Sequence, residues 1–190
     1  MAGRMKFKEI FVDFDETIAN SLKDVCSIYN EKYNEDAIWQ RTKVWSLKDE
    51  CPILKKDELT DMFSLDKFFD NLTLKYGAYE VLSELSKDYT ITIVSIGTME
   101  NCSKKSVFIN ANLPFVSNSI LIPFEKDRLV MDKSSVDMSN GIFIDDVEDN
   151  LFSSNAKLKV LYENIPNADW NSKWRGERIK SWYDVYKYFE

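Results

Sequence analysis

The sequence predicts an α/β fold: a mostly parallel sheet flanked by helices, with a small helical insert after the first strand. Three observations carry this expectation. Short apolar runs of strand type alternate with segments of helical period along the chain, as in βαβ units. Two of those runs, residues 9–13 (EIFVD) and 141–145 (GIFID), end abruptly in acids. Between them, residues 37–69 carry no strand signal, only aromatics, charges and short helical patterns interrupted by Pro52.

Each element has its own reason. Ile10, Phe11 and Val12 form a continuous apolar run, expected where helices cover both faces of a parallel sheet. Residues 21–33 are helical, with Leu22, Val25, Ile28 and Tyr29 on one face and Ser21 in place as N-cap. Two short helices are expected near 57–63 and 65–71. Residues 77–87 form another, with Ala78, Val81, Leu82 and Leu85 sharing a face. Residues 90–95 (TITIVS) are a β-branched strand run. A helix at 101–111 is closed by Asn112 and Pro114. Strands follow at 119–122, 141–145 and 158–162, with a loop at 132–140. An amphipathic helix spans 179–189. The division expected is a main body of residues 1–19 and 75–190 and an insert of residues 20–74.

Composition narrows the function. A chain of 190 residues with 44% hydrophobic content can bury a sizeable core. No apolar run reaches bilayer-spanning length, and residues 1–8 lack the apolar centre of a signal peptide, so a cytoplasmic location and no membrane partner are expected. Cys26, Cys51 and Cys102 are scattered and odd in number, which reads as free thiols in a reducing compartment rather than a zinc cluster. There is no histidine, which excludes Ser-His-Asp and Cys-His catalysis and any histidine-ligated metal. Acid–base work falls to carboxylates, lysine, cysteine or tyrosine. A net charge of −7 disfavours a nucleic-acid partner, yet a local cation can still draw in a small anion.

Ligands of parallel sheets sit beyond the carboxyl ends of the strands, and Asp13, Ser95 and Asp145 each end one. Asp13 and Asp15, two apart after a buried strand, suit a nucleophile toward phosphorus and a general acid/base. A solvated acidic turn is the plainer reading of that pair alone. Asp145 and Asp146 would complete an oxygen cage for Mg2+, with Asp149 behind it. Negative charge at a helix N-terminus is the plainer reading there. Ser95 offers a hydroxyl to a phosphate oxygen, and Lys133 a charge for the transferring phosphoryl group and for Asp13. A turn serine and a surface lysine are the ordinary alternatives.

Strand plus DFDET, strand plus serine, lysine, then strand plus DD resembles the four motifs of haloacid dehalogenase (HAD) superfamily phosphatases, in order, over residues 10–150. That resemblance implies a Rossmann-like core with a cap inserted after the first strand. It implies Asp13 as nucleophile, Asp15 as acid/base oriented by Thr17, Ser95 and Lys133 on the phosphate, and Mg2+ held by the Asp13 carboxylate, the Asp15 main-chain carbonyl and the Asp145/Asp146 pair. The dehalogenases of the superfamily lack an acid at the position of Asp15, so phosphoester chemistry is expected. Looser features resemble the 5′(3′)-deoxyribonucleotidase family: the small helical cap after DFDET, Arg41 to Trp45, Phe68-Phe69 before the Gly77-Ala78 helix, Asp132 to Ser135, and Arg178 to Trp182. The resemblance implies hydrolysis of a nucleoside monophosphate, pyrimidine deoxynucleotides preferred. Trp45 and Phe69 would line the base, Ser21 would lie near the sugar, and a homodimer is allowed for. Ser95 and Ile96 depart from the family pattern, which usually has threonine at the first of these positions; Ile96 falls among the expected substrate contacts. The competing readings are a HAD phosphatase for another small ester, such as a sugar phosphate, and a non-catalytic binding module on the same scaffold.

Overall fold

The structure, a computed structural model, describes residues 7–124, 132–163, 165 and 169–189. Residues 1–6, which belong to the expectations above, lie outside the described residues. Among those described, six strands form one parallel sheet in the order β3-β2-β1-β4-β5-β6: β1 (Glu9–Val12), β2 (Thr90–Gly97), β3 (Asn118–Pro123), β4 (Gly141–Asp145), β5 (Leu158–Tyr162) and β6 (Glu177–Ile179). The helices are α1 (Ser21–Tyr33), α2 (Lys56–Met62), α3 (Asp66–Asn71), α4 (Ala78–Leu85), α5 (Met99–Asn112), α6 (Glu148–Ser153) and α7 (Trp182–Phe189). None is long and apolar enough to cross a membrane.

Strand periodicity divides the core between the two faces of the sheet. Ile10, Val12, Ile91, Ile93, Ile142 and Ile144 point into one apolar cluster, which α1, α4 and α7 cover. Phe11, Val94, Phe143 and Leu161 point into the other, with Met138, Leu151 and Trp174. Two elements differ from expectation. The strand β6 was not anticipated: Glu-Arg-Ile is too short to show a period. It forms because it pairs with β5, Val160 opposite Glu177, and because Arg178 meets Glu163 at 2.8 Å. Ile179 therefore belongs to a strand, and the last helix begins only at Trp182. There Ser181 exchanges hydrogen bonds with Asp184, its hydroxyl donating to Oδ2 at 2.7 Å and accepting from the Asp184 amide at 3.2 Å. Ser21 is likewise not the N-cap of α1. Asn20 holds that place, and Ser21 is the first helical residue with its hydroxyl turned elsewhere.

The chain order places β1 between β2 and β4, so the sheet reverses direction of winding at β1/β4. Val12 lies opposite both Ile93 and Ile144, and the Asp13 amide donates to the Ile144 carbonyl at 2.9 Å. The close approach at the other end of this pair requires Gly141. A Cβ there would stand 2.6 Å from the Glu9 carbonyl oxygen and 2.7 Å from the Phe11 ring.

Residues 20–74 leave and rejoin the sheet through two segments laid side by side. Ala19 bridges Leu74, the Asn20 amide donates to the Thr73 carbonyl at 2.9 Å, and the Lys75 amide donates to the Ile18 carbonyl at 2.8 Å. A buried ion pair fastens them: Lys75 Nζ lies 3.0 Å from Glu16 Oε2, while Glu16 Oε1 accepts from the Leu22 amide at 2.6 Å. Burial pushes the Glu16 carboxyl upward against the pull of Lys75. Glu16 also holds a left-handed backbone, φ 55°, rare without glycine and sustained by these contacts. Lys75→Met removes the cation from a buried carboxylate and is expected to lower stability by about 3–5 kcal/mol. Urea unfolding of the variant measures this; an unchanged midpoint refutes the pair as a fastener.

Candidate active site

Beyond the carboxyl ends of β1 and β4, the carboxylates of Asp13, Asp145 and Asp146 lie with one oxygen each within 4.8 Å of one another, all buried. Residues far apart in sequence meet because parallel neighbours end at the same edge. Lys133 joins them: its ammonium, itself buried, donates to Asp13 Oδ1 and, at 2.7 Å, to Asp145 Oδ2. A turn in which Asp132 accepts from the Ser134 amide and hydroxyl, at 2.7 and 2.9 Å, sets the lysine facing inward.

Asp145 is the most fully engaged of the three acids. Besides Lys133 it accepts from the Val147 amide at 2.8 Å, and Asn150 Nδ2 lies 3.1 Å from each carboxylate oxygen. Asp149, expected behind the cluster, is exposed instead. At the start of α6 residue 150, not 149, faces the sheet. The Asp146 main-chain carbonyl accepts from Asn171 Nδ2 at 2.6 Å, and Asn171 Oδ1 accepts from the Glu148 amide at 2.9 Å.

Asp15 stands beside this cluster. Its Oδ1 accepts from the Ser21 hydroxyl at 2.7 Å, and its Oδ2 from Lys105 Nζ at 2.5 Å. The Ser95 hydroxyl lies 3.4 Å from the same Oδ2 and 2.8 Å from Lys105 Nζ. Thr17, expected to orient Asp15, has a buried hydroxyl with no hydrogen-bond partner among the described residues; its carbonyl accepts from Trp182 Nε1 at 3.0 Å. Ile96 is half-buried in β2, opposite Ile122. Trp45 packs edge-on to Trp170 at 6.3 Å, and Phe69 reaches Phe108 at 6.4 Å, which in turn packs on Phe14 at 5.8 Å.

Burial dominates the electrostatics. It pushes the Asp13 carboxyl up to about 7, helped by the charges of Asp145 and Asp15 and opposed by Lys133. Asp146 is raised well above the carboxylate range by burial and then by Asp145 and Asp13. Burial alone would lower Lys133, but the carboxylates of Asp13 and Asp145 beside it hold its ammonium above the usual lysine value. Three crowded acids facing one lysine make a donor set that fits a divalent cation binding through oxygen.

The family model described as "5′ nucleotidase, deoxy (Pyrimidine), cytosolic type C protein" matches residues 7–189. The chain belongs to this family. As a member of it the protein is a phosphoric monoester hydrolase of the 5′-nucleotidase type. It is 27% identical over 177 residues to a 5′(3′)-deoxyribonucleotidase of Clostridium acetobutylicum, covering 92% of this chain and 90% of that one. A HAD-like hydrolase from Streptococcus pneumoniae has the same fold, with a TM-score of 0.64, 15% identity, and 98% and 100% of the two chains covered. So does a HAD hydrolase from Bacillus subtilis bound to magnesium, with a TM-score of 0.58, 14% identity, and 97% and 99% covered.

Three residues of this nucleotidase site escaped sequence reasoning. Asn150 stood next to the acid that drew attention, and Asn171 gives no local signal. Lys105 had one: it falls in helical phase with Cys102 and Ile109, so it lies on the buried stripe of α5. The pH dependence of cation binding follows from the raised acids. A carboxyl whose folded-state value lies above its unfolded value destabilises the fold as pH rises between the two. Here that window runs from the ordinary carboxylate range up through about 7 for Asp13. A divalent cation needs the ionised forms, so in chelator-stripped protein it should add about 2–3 kcal/mol at a hundredfold excess over Kd. Thermal unfolding should show a larger gain at pH 8 than at pH 5; equal gains, or none, contradict the cluster as a cation site.

Proposed function

We propose that the protein is a magnesium-dependent 5′(3′)-deoxyribonucleotidase that removes phosphate from pyrimidine deoxyribonucleoside monophosphates through an aspartyl-phosphate on Asp13. The observation that carries this reading is the meeting of Asp13, Asp145 and Asp146 around one point, with Lys133 among them and Asp15 alongside. The family description and the clostridial relative support the substrate class. A cytoplasmic location suits the family and three free buried cysteines.

Mg2+ would be held by the carboxylates of Asp13 and Asp146 and the main-chain carbonyl of Asp15. Asp146 is preferred over Asp145 because Lys133, Asn150 and the Val147 amide already occupy the Asp145 oxygens. When bound, the ion neutralises charge on the phosphoryl oxygens and on the acids themselves. Lys133 fixes the Asp13 carboxylate and offsets charge that develops on the phosphoryl group. Asp13 attacks phosphorus, the bond from phosphorus to the nucleoside oxygen breaks, and Asp15 gives that oxygen a proton. Water then attacks the phosphorus of the acyl phosphate while Asp15 takes its proton. The bond to Asp13 breaks and inorganic phosphate leaves. Ser95 donates to a phosphate oxygen throughout, and most of the rate gain comes from positioning and fixed charge.

Residues 20–74 act as the cap. Trp45 and Phe69 are each linked to the site by contacts between rings and loops, through Trp170-Asn171 and through Phe108-Phe14. In this reading they flank the base, with Ile96 below it and Ser21 toward the sugar.

Phosphate release across a panel of deoxynucleotides, ribonucleotides and sugar phosphates, with and without chelator, tests the assignment. Activity that survives chelation, or that favours sugar phosphates, overturns it. Asp13→Asn should lose roughly 10⁴-fold or more in kcat while the fold, read by circular dichroism, stays intact; retained turnover removes Asp13 from the nucleophile's role. Trp45→Ala should raise KM for dUMP about tenfold or more, as loss of a stacking ring would, and leave kcat/KM for a small aryl phosphate near wild type. Equal losses on both substrates would separate Trp45 from base recognition.

A further inference from the structure

The buried Lys105 has no part in the cycle above, yet it touches two of the cycle's residues. It stands on α5 with its side chain fully shielded. Burying an ammonium is unfavourable by several kcal/mol unless it is paired, so its surroundings are informative. Nζ lies 2.5 Å from Asp15 Oδ2 and 2.8 Å from Ser95 Oγ, and it faces the Phe14 ring with 5.2 Å to the centroid. Two oxygens and one aromatic face surround its three donors, which leaves little room for a phosphate oxygen. Lys133 differs: it lies among the carboxylates that would meet the phosphoryl group.

The other oxygen of Asp15 is held from a different helix, by Ser21 of α1. The Asp15 carboxylate is thus gripped at both ends, and rotation about its side-chain bonds would break one grip or the other. Proton transfer needs the acid within hydrogen-bond reach of the departing oxygen in a defined orientation.

We propose that Lys105 is a positioning residue that locks Asp15 in its acid/base orientation. This rests on the phosphatase reading given above. The lysine makes no bond to the substrate. It acts on the step in which the bond from phosphorus to the leaving oxygen breaks and that oxygen takes the Asp15 proton.

The test compares leaving groups. A deoxynucleotide departs as an alkoxide and needs the proton, whereas p-nitrophenyl phosphate departs as a stable phenolate and does not. The readout is kcat/KM, which reports the transfer to Asp13 and not the later hydrolysis. Asp15→Asn sets the benchmark by losing far more on the deoxynucleotide than on the aryl ester. Lys105→Met should follow that pattern, losing roughly 10²-fold on the deoxynucleotide while the aryl ester stays near wild type. Lys105→Arg should restore part of the loss. If Lys105→Met fails to fold, Lys105→Gln, which removes the charge and shortens the reach to Asp15, carries the same comparison. Equal losses on both esters, or a rise in KM shared by both, would make Lys105 a phosphate ligand or a structural prop and overturn the proposal. Wild-type protein that hydrolyses neither ester would instead overturn the phosphatase reading beneath it.

Discussion

Concentrated buried negative charge is the constraint around which this protein is arranged. Three carboxylates share a space of under 5 Å in a region largely closed to water, and an unpaired buried carboxylate is strongly unfavourable. The surroundings are what make it tolerable. Lys133 lies between Asp13 and Asp145, Asn150 and the Val147 amide satisfy Asp145, and Asn171 holds the Asp146 carbonyl. The cluster exists because β1 and β4 are parallel neighbours in register, so that residues 132 positions apart end at one edge. The tight pairing of those strands in turn admits only glycine at position 141.

What the sequence made legible follows the same physics. In strands β1 and β4, covered on both faces, residues 10–12 and 142–144 are all apolar and leave no alternative period, and the acids that follow them mark the sheet edge. Tertiary partners, by contrast, leave no local pattern. Strand β6 exists only through β5, and Ser21 turned from its expected cap because Asp15 offers its hydroxyl a better-placed acceptor. Asp149 and Asn150 are neighbours, but the phase of α6 turns the acid out and the amide in. Lys104 and Lys105 show this most sharply. The first reaches the surface acids Asp66 and Glu100, the second is sealed against Asp15, and only its alignment with Cys102 and Ile109 tells them apart.

Residues 20–74 are fastened to the rest of the chain at places that adjoin the candidate site. At their root, Lys75 pairs with Glu16, next to Asp15. Along α5, Asn101 donates to the Phe63 carbonyl at 2.6 Å, and Ser64 lies 3.0 Å from the Thr98 hydroxyl, on the helix that bears Lys105. At the far side, the Asp169 amide donates to the Lys43 carbonyl at 3.2 Å, and Trp45 packs on Trp170, beside the Asn171 that holds Asp146. In the proposed function, a displacement of residues 20–74 would reach Asp15, Lys105 and the Asp145/Asp146 pair through these contacts.

The absence of histidine gives the buried Lys105 and Lys133 their significance. An imidazole near a carboxylate cluster would change charge across the working range of pH, whereas a lysine ammonium is a fixed positive centre under most conditions. Asp13 and Asp15, the proposed nucleophile and acid/base, are close enough for the Asp15 charge to push Asp13 upward, and two such carboxylates without separate cations tend to share one proton. Here each has its own lysine: Lys133 on Asp13, brought by a loop before β4, and Lys105 on Asp15, brought by α5 after β2. In the proposed mechanism, separate cations would help Asp13 attack as an anion while Asp15 alternates between donor and acceptor. That division of labour is what an aspartyl-phosphate mechanism demands of a pair of otherwise identical side chains.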